Sequence, residues 1–288
     1  MMHNRMLRRR SLLVAGAALA VVGPGRVLAQ DATVYRFSPV NQYGIELTAR
    51  YWNPIIEYVS ARSGVKLALK IGRTSADTTA YVLANEVEFL FTNHLFGPER
   101  EQLGWKVIGR RDTPPIHSQI VVLASSPVQK LAELEGQAVA FPGPEATVAY
   151  KFAYGELLAR GVNVQVVFGG NMDGAFAQLA SGKVKAAGTN SQLAEGWSRR
   201  EGQPLRVLWS SEPLHDLALM AEKKVPDKVR EAVAKAFVDM GRDPAGQKIL
   251  DSASDVVKLP AGTRFIASNG SEYGAYRTYF KTLPANLR

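Results

Sequence analysis

Cysteine is absent from the 288 residues. That absence excludes a disulfide framework, a thiolate metal site and a cysteine nucleophile. Histidine is scarce, four in the chain, and none is spaced as H-x-x-x-H or H-E-x-x-H, so no metal is expected. Also missing are a G-x-S-x-G elbow, a G-x-G-x-x-G phosphate loop and paired carboxylates beside a cleft-forming loop. No catalytic residue and no cofactor is therefore expected. The longest apolar run, Leu12 to Val22, is too short to cross a bilayer as a helix. With no cysteine there is no lipobox, which favours a freely soluble exported protein over a tethered one.

What is present begins with an address. Arg5, Arg8, Arg9 and Arg10 precede that apolar run, Pro24 and Gly25 break it, and Val27-Leu28-Ala29 follows. This pattern reads as a signal peptide over residues 1–29, with a mature chain from Gln30 and a periplasmic destination. Arg9-Arg10-Ser11-Leu12-Leu13 fits the twin-arginine pattern, with general secretion as the other route. Five of the formal +9 charges are arginines of this leader, leaving +4 for the remainder. The remaining lysines and arginines are scattered, with no stripe carrying interleaved aromatics, so no nucleic-acid partner is expected. A mild positive field suits an anionic ligand.

Beyond the leader, strand and helix patterns alternate. Val34 to Phe37, Val65 to Ile71 and Val87 to Phe91 read as strands. Glu46 to Arg62, with Leu47, Tyr51, Ile55, Tyr58 and Val59 at helical spacing, and Ala76 to Ala84 read as helices. A second cycle follows: strands at Gln119 to Ala124, Ala138 to Phe141, Val164 to Phe168, Val184 to Gly188 and Leu205 to Ser210. Its helices fall at Val128 to Glu133, Glu145 to Arg160 and Gly174 to Ser181, before a helical tail from Pro226 to Met240 and onward. The βαβ order argues for parallel sheets with right-handed crossovers. Two doubly wound α/β lobes are expected, the first from 30–120 plus 219–288 and the second from 121–218, linked by Ile120–Leu123 and Leu217–Met220. Ligands of such sheets sit beyond the carboxyl ends of the strands, here in the cleft between lobes.

At those loops the sequence resembles the phosphate/phosphite/phosphonate family of solute-binding proteins, a branch of the type II periplasmic fold. The likeness runs through Phe37-Ser38-Pro39, Arg50 to Tyr58, Ala84 to Phe89, Leu131 to Phe141, Gly169 to Val184 and Arg206 to Pro213. No single piece is specific; their order and spacing are. The resemblance implies a monomeric two-lobed clamp that closes on a small molecule and is read by an ABC permease. Departures accompany it. The family's serine-rich oxyanion loop is replaced by Gly143-Pro144-Glu145-Ala146-Thr147-Val148-Ala149-Tyr150, where Thr147 alone keeps a hydroxyl. Met172 stands where the family has a histidine, and Thr92-Asn93-His94 where it has Leu-Gly-Pro. The clamp is expected to be kept and its ligand to differ from phosphonate or to remain a related anion.

Candidate ligand contacts follow from the strand-to-helix loops. Tyr43 lies after the first strand, against a solvated turn as the plain alternative. Arg73 and Thr74 follow the second strand: an arginine grips oxyanions bidentately, while Thr74 or Ser75 is also suited to cap the next helix. Thr92, Asn93 and His94 end a very apolar strand, and His94 has a charge that can switch near neutral pH. The backbone N–H groups of Ala146, Thr147 and Val148 begin a helix and suit an anion, although Glu145 would compete for the same donors. Asn171, Met172 and Asn190 complete the set; methionine is more often a gap filler. His117 and His215 are read as structural. Two other functions stay open: a ligand-sensing subunit of a membrane sensor kinase, and an exported hydrolase.

Overall fold

β-Branched and aromatic residues concentrate in short runs, and in the computed structural model, which describes residues 33–288, these runs build two separate sheets. The expected leader and its export pattern lie outside the described residues. In the first sheet β1 (Tyr35–Pro39) lies between β2 (Leu67–Leu69) and β3 (Phe89–Thr92), all parallel. The sheet continues through β10 (Ala218–Ala221), β4 (Lys106–Asp112) and β11 (Arg264–Ile266), each antiparallel to its neighbour. The second sheet repeats the scheme: β6 (Ala138–Phe141) lies between β7 (Gln165–Phe168) and β8 (Ala186–Asn190), again parallel. Then β5 (Ser118–Leu123) and β9 (Leu205–Ser210) follow antiparallel.

Both sheets are thus mixed where wholly parallel ones were expected. The physical reason lies in the chain path. β5 and β10 are the strands by which the chain arrives from the other sheet, so they start at the junction where the parallel strands end. The chain passes between the sheets at 113–117 and 211–217, where Ile116 and Leu214 pair as an antiparallel bridge. These crossings come just ahead of the strands read from sequence as the links.

Helices cover the sheets because each has one apolar stripe. α1 (Ile45–Ser63) buries Tyr51, Trp52, Ile55, Ile56 and Val59 and ends at Gly64, whose φ of 69° a side chain would strain. Against it pack α7 (Asp227–Met240) and α8 (Pro244–Val257). α2 (Asp77–Leu83) and the one-turn α3 (Pro98–Glu101) complete the first half. In the second, a π-helical turn, Thr147–Phe152, runs on into α4 (Ala153–Ala159), followed by α5 (Met172–Ala180) and α6 (Ser191–Glu201). The last helix, α9 (Gly274–Thr282), binds both halves. Its Tyr276 and Phe280 join one apolar cluster with Leu90 and Phe96 from the first half and Val148 and Phe152 from the second. Among the described residues no helix is long and apolar enough to cross a membrane.

Where the crossings meet, Arg111 at the end of β4 is fully buried. Its Nε donates to Asp216 Oδ2 at 2.7 Å, Nη2 to Gln192 Oε1 at 2.9 Å and Nη1 to the Tyr51 hydroxyl at 3.3 Å. Its guanidinium lies 4.9 Å from the Phe91 ring centroid. A buried charge held this fully is costly to orphan. Arg111→Met should lower unfolding free energy by about 3–5 kcal/mol, read from urea melts at pH 7. The double change Arg111→Met with Asp216→Leu should lose less than that single change. A single-variant loss near zero would show that the pair does not hold the junction.

Candidate functional site

Parallel strands of both sheets end toward the junction, and there the loops enclose a cavity of about 40 Å³. From the first half it is lined by Val40, Asn41 and Gln42 after β1, Ser75 before α2, and Asn93 and His94 after β3. The second half supplies Pro142, Ala146 to Ala149, Met172, Asn190 and Leu193, and Leu217 comes from the second crossing. The halves touch around it. Ser75 N–H donates to Gly170 O at 2.8 Å, Gly44 N–H to Asp173 Oδ2 at 3.0 Å, and a Cβ added at Gly143 would overlap Ser75 Oγ.

Of the residues singled out from sequence, the cavity brings together Asn93, His94, Ala146, Thr147, Val148, Met172 and Asn190. The others stand back from it. Tyr43 is packed in the core with its hydroxyl buried and unpartnered, and burial pushes that phenol well above its ordinary range despite nearby Arg111. The Arg73 side chain is exposed, and Asp77 accepts from the N–H groups of Arg73 and Thr74 at 2.5 and 3.0 Å and from the Thr74 hydroxyl at 3.1 Å. Thr92 turns its hydroxyl back to accept from His94 N–H at 3.0 Å. Asn171 caps α5 by accepting from Gly174 N–H at 2.9 Å. Asn190, although it lines the cavity, also caps α6 through Leu193 N–H at 2.8 Å.

Three features define what this space can hold. First, Ala146 precedes the π-helical turn without capping it through a side chain, and the N–H groups of Thr147, Val148 and Ala149 have no acceptor among the described residues. Such a helix start concentrates unsatisfied donors and partial positive charge. Glu145, the residue that would quench them, is instead drawn to Arg100, Nη2 to Oε2 at 3.2 Å. Second, two lining groups are buried with no partner among the described residues, Asn41 Oδ1 and Ser75 Oγ. The Asn41 amide is oriented by its Nδ2, which donates to Gly72 O at 2.5 Å, so the free oxygen is an acceptor. Third, no lysine, arginine, aspartate or glutamate lines the cavity.

His94 is the one titratable lining residue. It is buried, with Nδ1 3.3 Å from the Thr79 hydroxyl. Burial first, and then the positive charges of Lys151 and Arg100, hold its pKa down at about 3. It is therefore neutral at neutral pH, one ring nitrogen donating and the other accepting. Asn41, Gln42 and Ser75 were not singled out as contacts. Their signal was present in the same loops that drew attention to Tyr43 and Thr74, displaced by one or two residues. Among the described residues no group of three or more acidic or histidine side chains is gathered to hold a metal ion.

Comparison with known proteins gives a family and a fold. A family model for periplasmic substrate-binding proteins of phosphonate ABC transporters matches residues 37–273. No curated protein matches the sequence. A binding-protein component of a phosphonate ABC transporter from Pseudomonas aeruginosa superposes with a TM-score of 0.73 at 15% identity, over 86% of each chain. PhnD1 from Prochlorococcus marinus, in complex with methylphosphonate, gives 0.72 at 15% identity, over 86% of this chain and 97% of that one. The aliphatic-sulphonate-binding protein SsuA of Escherichia coli gives 0.54 at 14% identity, over 86% and 85%. The shared architecture is that of type II periplasmic binding proteins.

The neutral His94 makes stability pH-dependent. Above pH 6.5 the imidazole is neutral folded and unfolded, so its contribution is complete. As pH falls from 6.5 toward about 3 the unfolded chain takes up a proton that the folded chain refuses. Stability from this residue should fall by about 1.4 kcal/mol per pH unit in that window. His94→Gln should flatten the acid limb of a urea-midpoint profile; identical slopes in both proteins would refute the assignment.

Proposed function

The chain belongs to the periplasmic substrate-binding proteins of phosphonate ABC transporters, and from that membership we propose that it captures a small oxyanion in the junction cavity for import. Such proteins bind and deliver; they do not catalyse. The lobes expected from sequence, 30–120 plus 219–288 and 121–218, have their boundaries inside β5 and β10; in this reading the crossings at 113–117 and 211–217 serve as the hinges. The leader over 1–29 is removed near Ala29 on the way to the periplasm.

One combination carries the ligand class: the lining residues include Thr147, Val148 and Ala149, whose N–H groups have no acceptor among the described residues, and Asn41 and Ser75, each with a buried side-chain oxygen that has no partner among them. Three donors in a row suit oxygens bearing negative charge. A free acceptor calls for a proton on the same ligand, because a buried amide oxygen left unmet is costly. A monoprotonated phosphonate, phosphite or related tetrahedral anion offers both. The cavity of about 40 Å³ has space for about three water-sized groups, the scale of such an anion rather than of a sugar. Methylphosphonate, held by PhnD1 of Prochlorococcus marinus, is of that size.

Closure follows from the lobe-to-lobe contacts. The bonds from Ser75 to Gly170 and from Gly44 to Asp173 exist only with the lobes together. A ligand touching both lobes adds to them and shifts the population toward the closed form. The transporter's membrane subunits then read that shape.

Thermal unfolding tests the reading. At a hundredfold excess over Kd a ligand specific to the folded state adds about 2.7 kcal/mol, which is about 5–10 °C in a chain of this size. Methylphosphonate, phosphite or phosphate should give that shift, and Asn41→Leu should abolish most of it. A shift confined to neutral solutes would reject the oxyanion and keep the clamp.

A further inference from the structure

A second cavity, of about 240 Å³, shares His94 as a wall with the first. Its chemistry is the opposite. Whereas no cation among the described residues lines the cleft cavity, this one is lined by Arg100 in α3, Lys151 in the π-helical turn and Arg288 after α9, with Phe280 as apolar wall. Two acids, Glu99 and Glu145, line it as well. Glu145 is engaged with Arg100 Nη2, and Arg100 Nη1 is buried with no partner among the described residues. Lys151 is half-buried, its Nζ 5.7 Å from the Phe280 ring centroid, and it makes no ion pair among the described residues. Burial pushes its ammonium below the ordinary range, against the pull of Glu145, and Arg100 adds to the push.

Arg100 comes from the first half of the molecule and Lys151 from the second, and both line this one cavity, where Glu145 already occupies one face of the Arg100 guanidinium. We propose that this cavity is an anion site, in which an oxyanion held by Arg100 Nη1 and the Lys151 ammonium bridges the two halves. Guanidinium and ammonium donors both favour phosphate-like or carboxylate oxygens. The oxyanion is either a free ion or a second acidic group on the molecule held in the cleft. In both cases it contacts both halves, so occupation here and in the cleft favours the same closed arrangement and the two reinforce one another. The inference stands independently of what the cleft itself binds.

Calorimetric titration with inorganic phosphate in chloride-free buffer at pH 7 tests it. A phosphate site should weaken by about tenfold or more, about 1.4 kcal/mol, in Lys151→Gln and in Arg100→Gln. It should recover in Lys151→Arg. In the Asn41→Leu background, whose cleft takes up little phosphate, the same two losses should still appear, which separates this site from the cleft. Phosphate binding that ignores Lys151→Gln and Arg100→Gln, or no binding at millimolar phosphate, would overturn the proposal. Phosphonoacetate, with two acidic groups, separates the sources. A single molecule weakened by both Asn41→Leu and Lys151→Gln places the second group on the cleft ligand. Phosphate binding beside phosphonoacetate, with no extra affinity over methylphosphonate, assigns the site to a free ion.

Discussion

The ion pair between Arg111 and Asp216 is the constraint on which the rest of the structure depends. Both side chains are shut off from water, at 0% and 1% exposure, and removing two charges from water costs several kcal/mol each. That cost is offset only where each guanidinium nitrogen has a partner. Arg111 meets the requirement by drawing on the crossing through Asp216, the second half through Gln192, and the first helix through Tyr51. The pair therefore stabilises little on its own account and dictates much: the halves must meet in one register for the guanidinium to be satisfied. Asp216 in turn gives its backbone carbonyl to the Tyr273 hydroxyl at 2.7 Å, just ahead of α9. The C-terminal segment is tied to the same point.

From that register the electrostatics of the two cavities follow. Arg100 sits where it can take Glu145 away from the start of the π-helical turn, which leaves three backbone donors free toward the cleft. Burial, reinforced by the charges of Lys151 and Arg100, keeps His94 neutral. Formal charge is thus held one residue away from the cleft, and the cleft works with dipoles. Fixed dipoles can meet a charged ligand without any side chain having to lose its hydration when the ligand arrives.

Much of this was legible in the sequence, and the failures have physical causes. The stripe of Tyr51, Ile55 and Val59 and the stop at Gly64 mark α1 because packing there follows a simple period. β4 escaped notice. Its sequence, Lys-Val-Ile-Gly-Arg-Arg-Asp, has three cations and a glycine, and nothing local reveals that Arg111 turns inward to a partner far along the chain. α6 was missed for a related reason: Asn190 reads as a polar loop residue, yet it is the cap of a helix whose surface is charged. The same ambiguity runs through the site. Asparagine and threonine at strand ends serve either a ligand or a helix start. Asn171 and Thr92 went to the backbone, whereas Asn41 kept an oxygen free. Adjacent residues in one loop, Asn41 and Tyr43, face different ways because the turn between them is set by tertiary contacts rather than by residue type.

The interleaved chain path has a kinetic consequence. All strands of the second sheet come from one uninterrupted stretch, β5 to β9, whereas the first sheet cannot be completed until β10 has returned to pair Ala218 with Thr92. Closing that long loop costs entropy before any contact repays it. On this ground the second half is expected to condense before β10 comes back beside β3. Arg111 and Asp216, separated by the whole of that half, are then joined by the same late step that sets the geometry of the cleft.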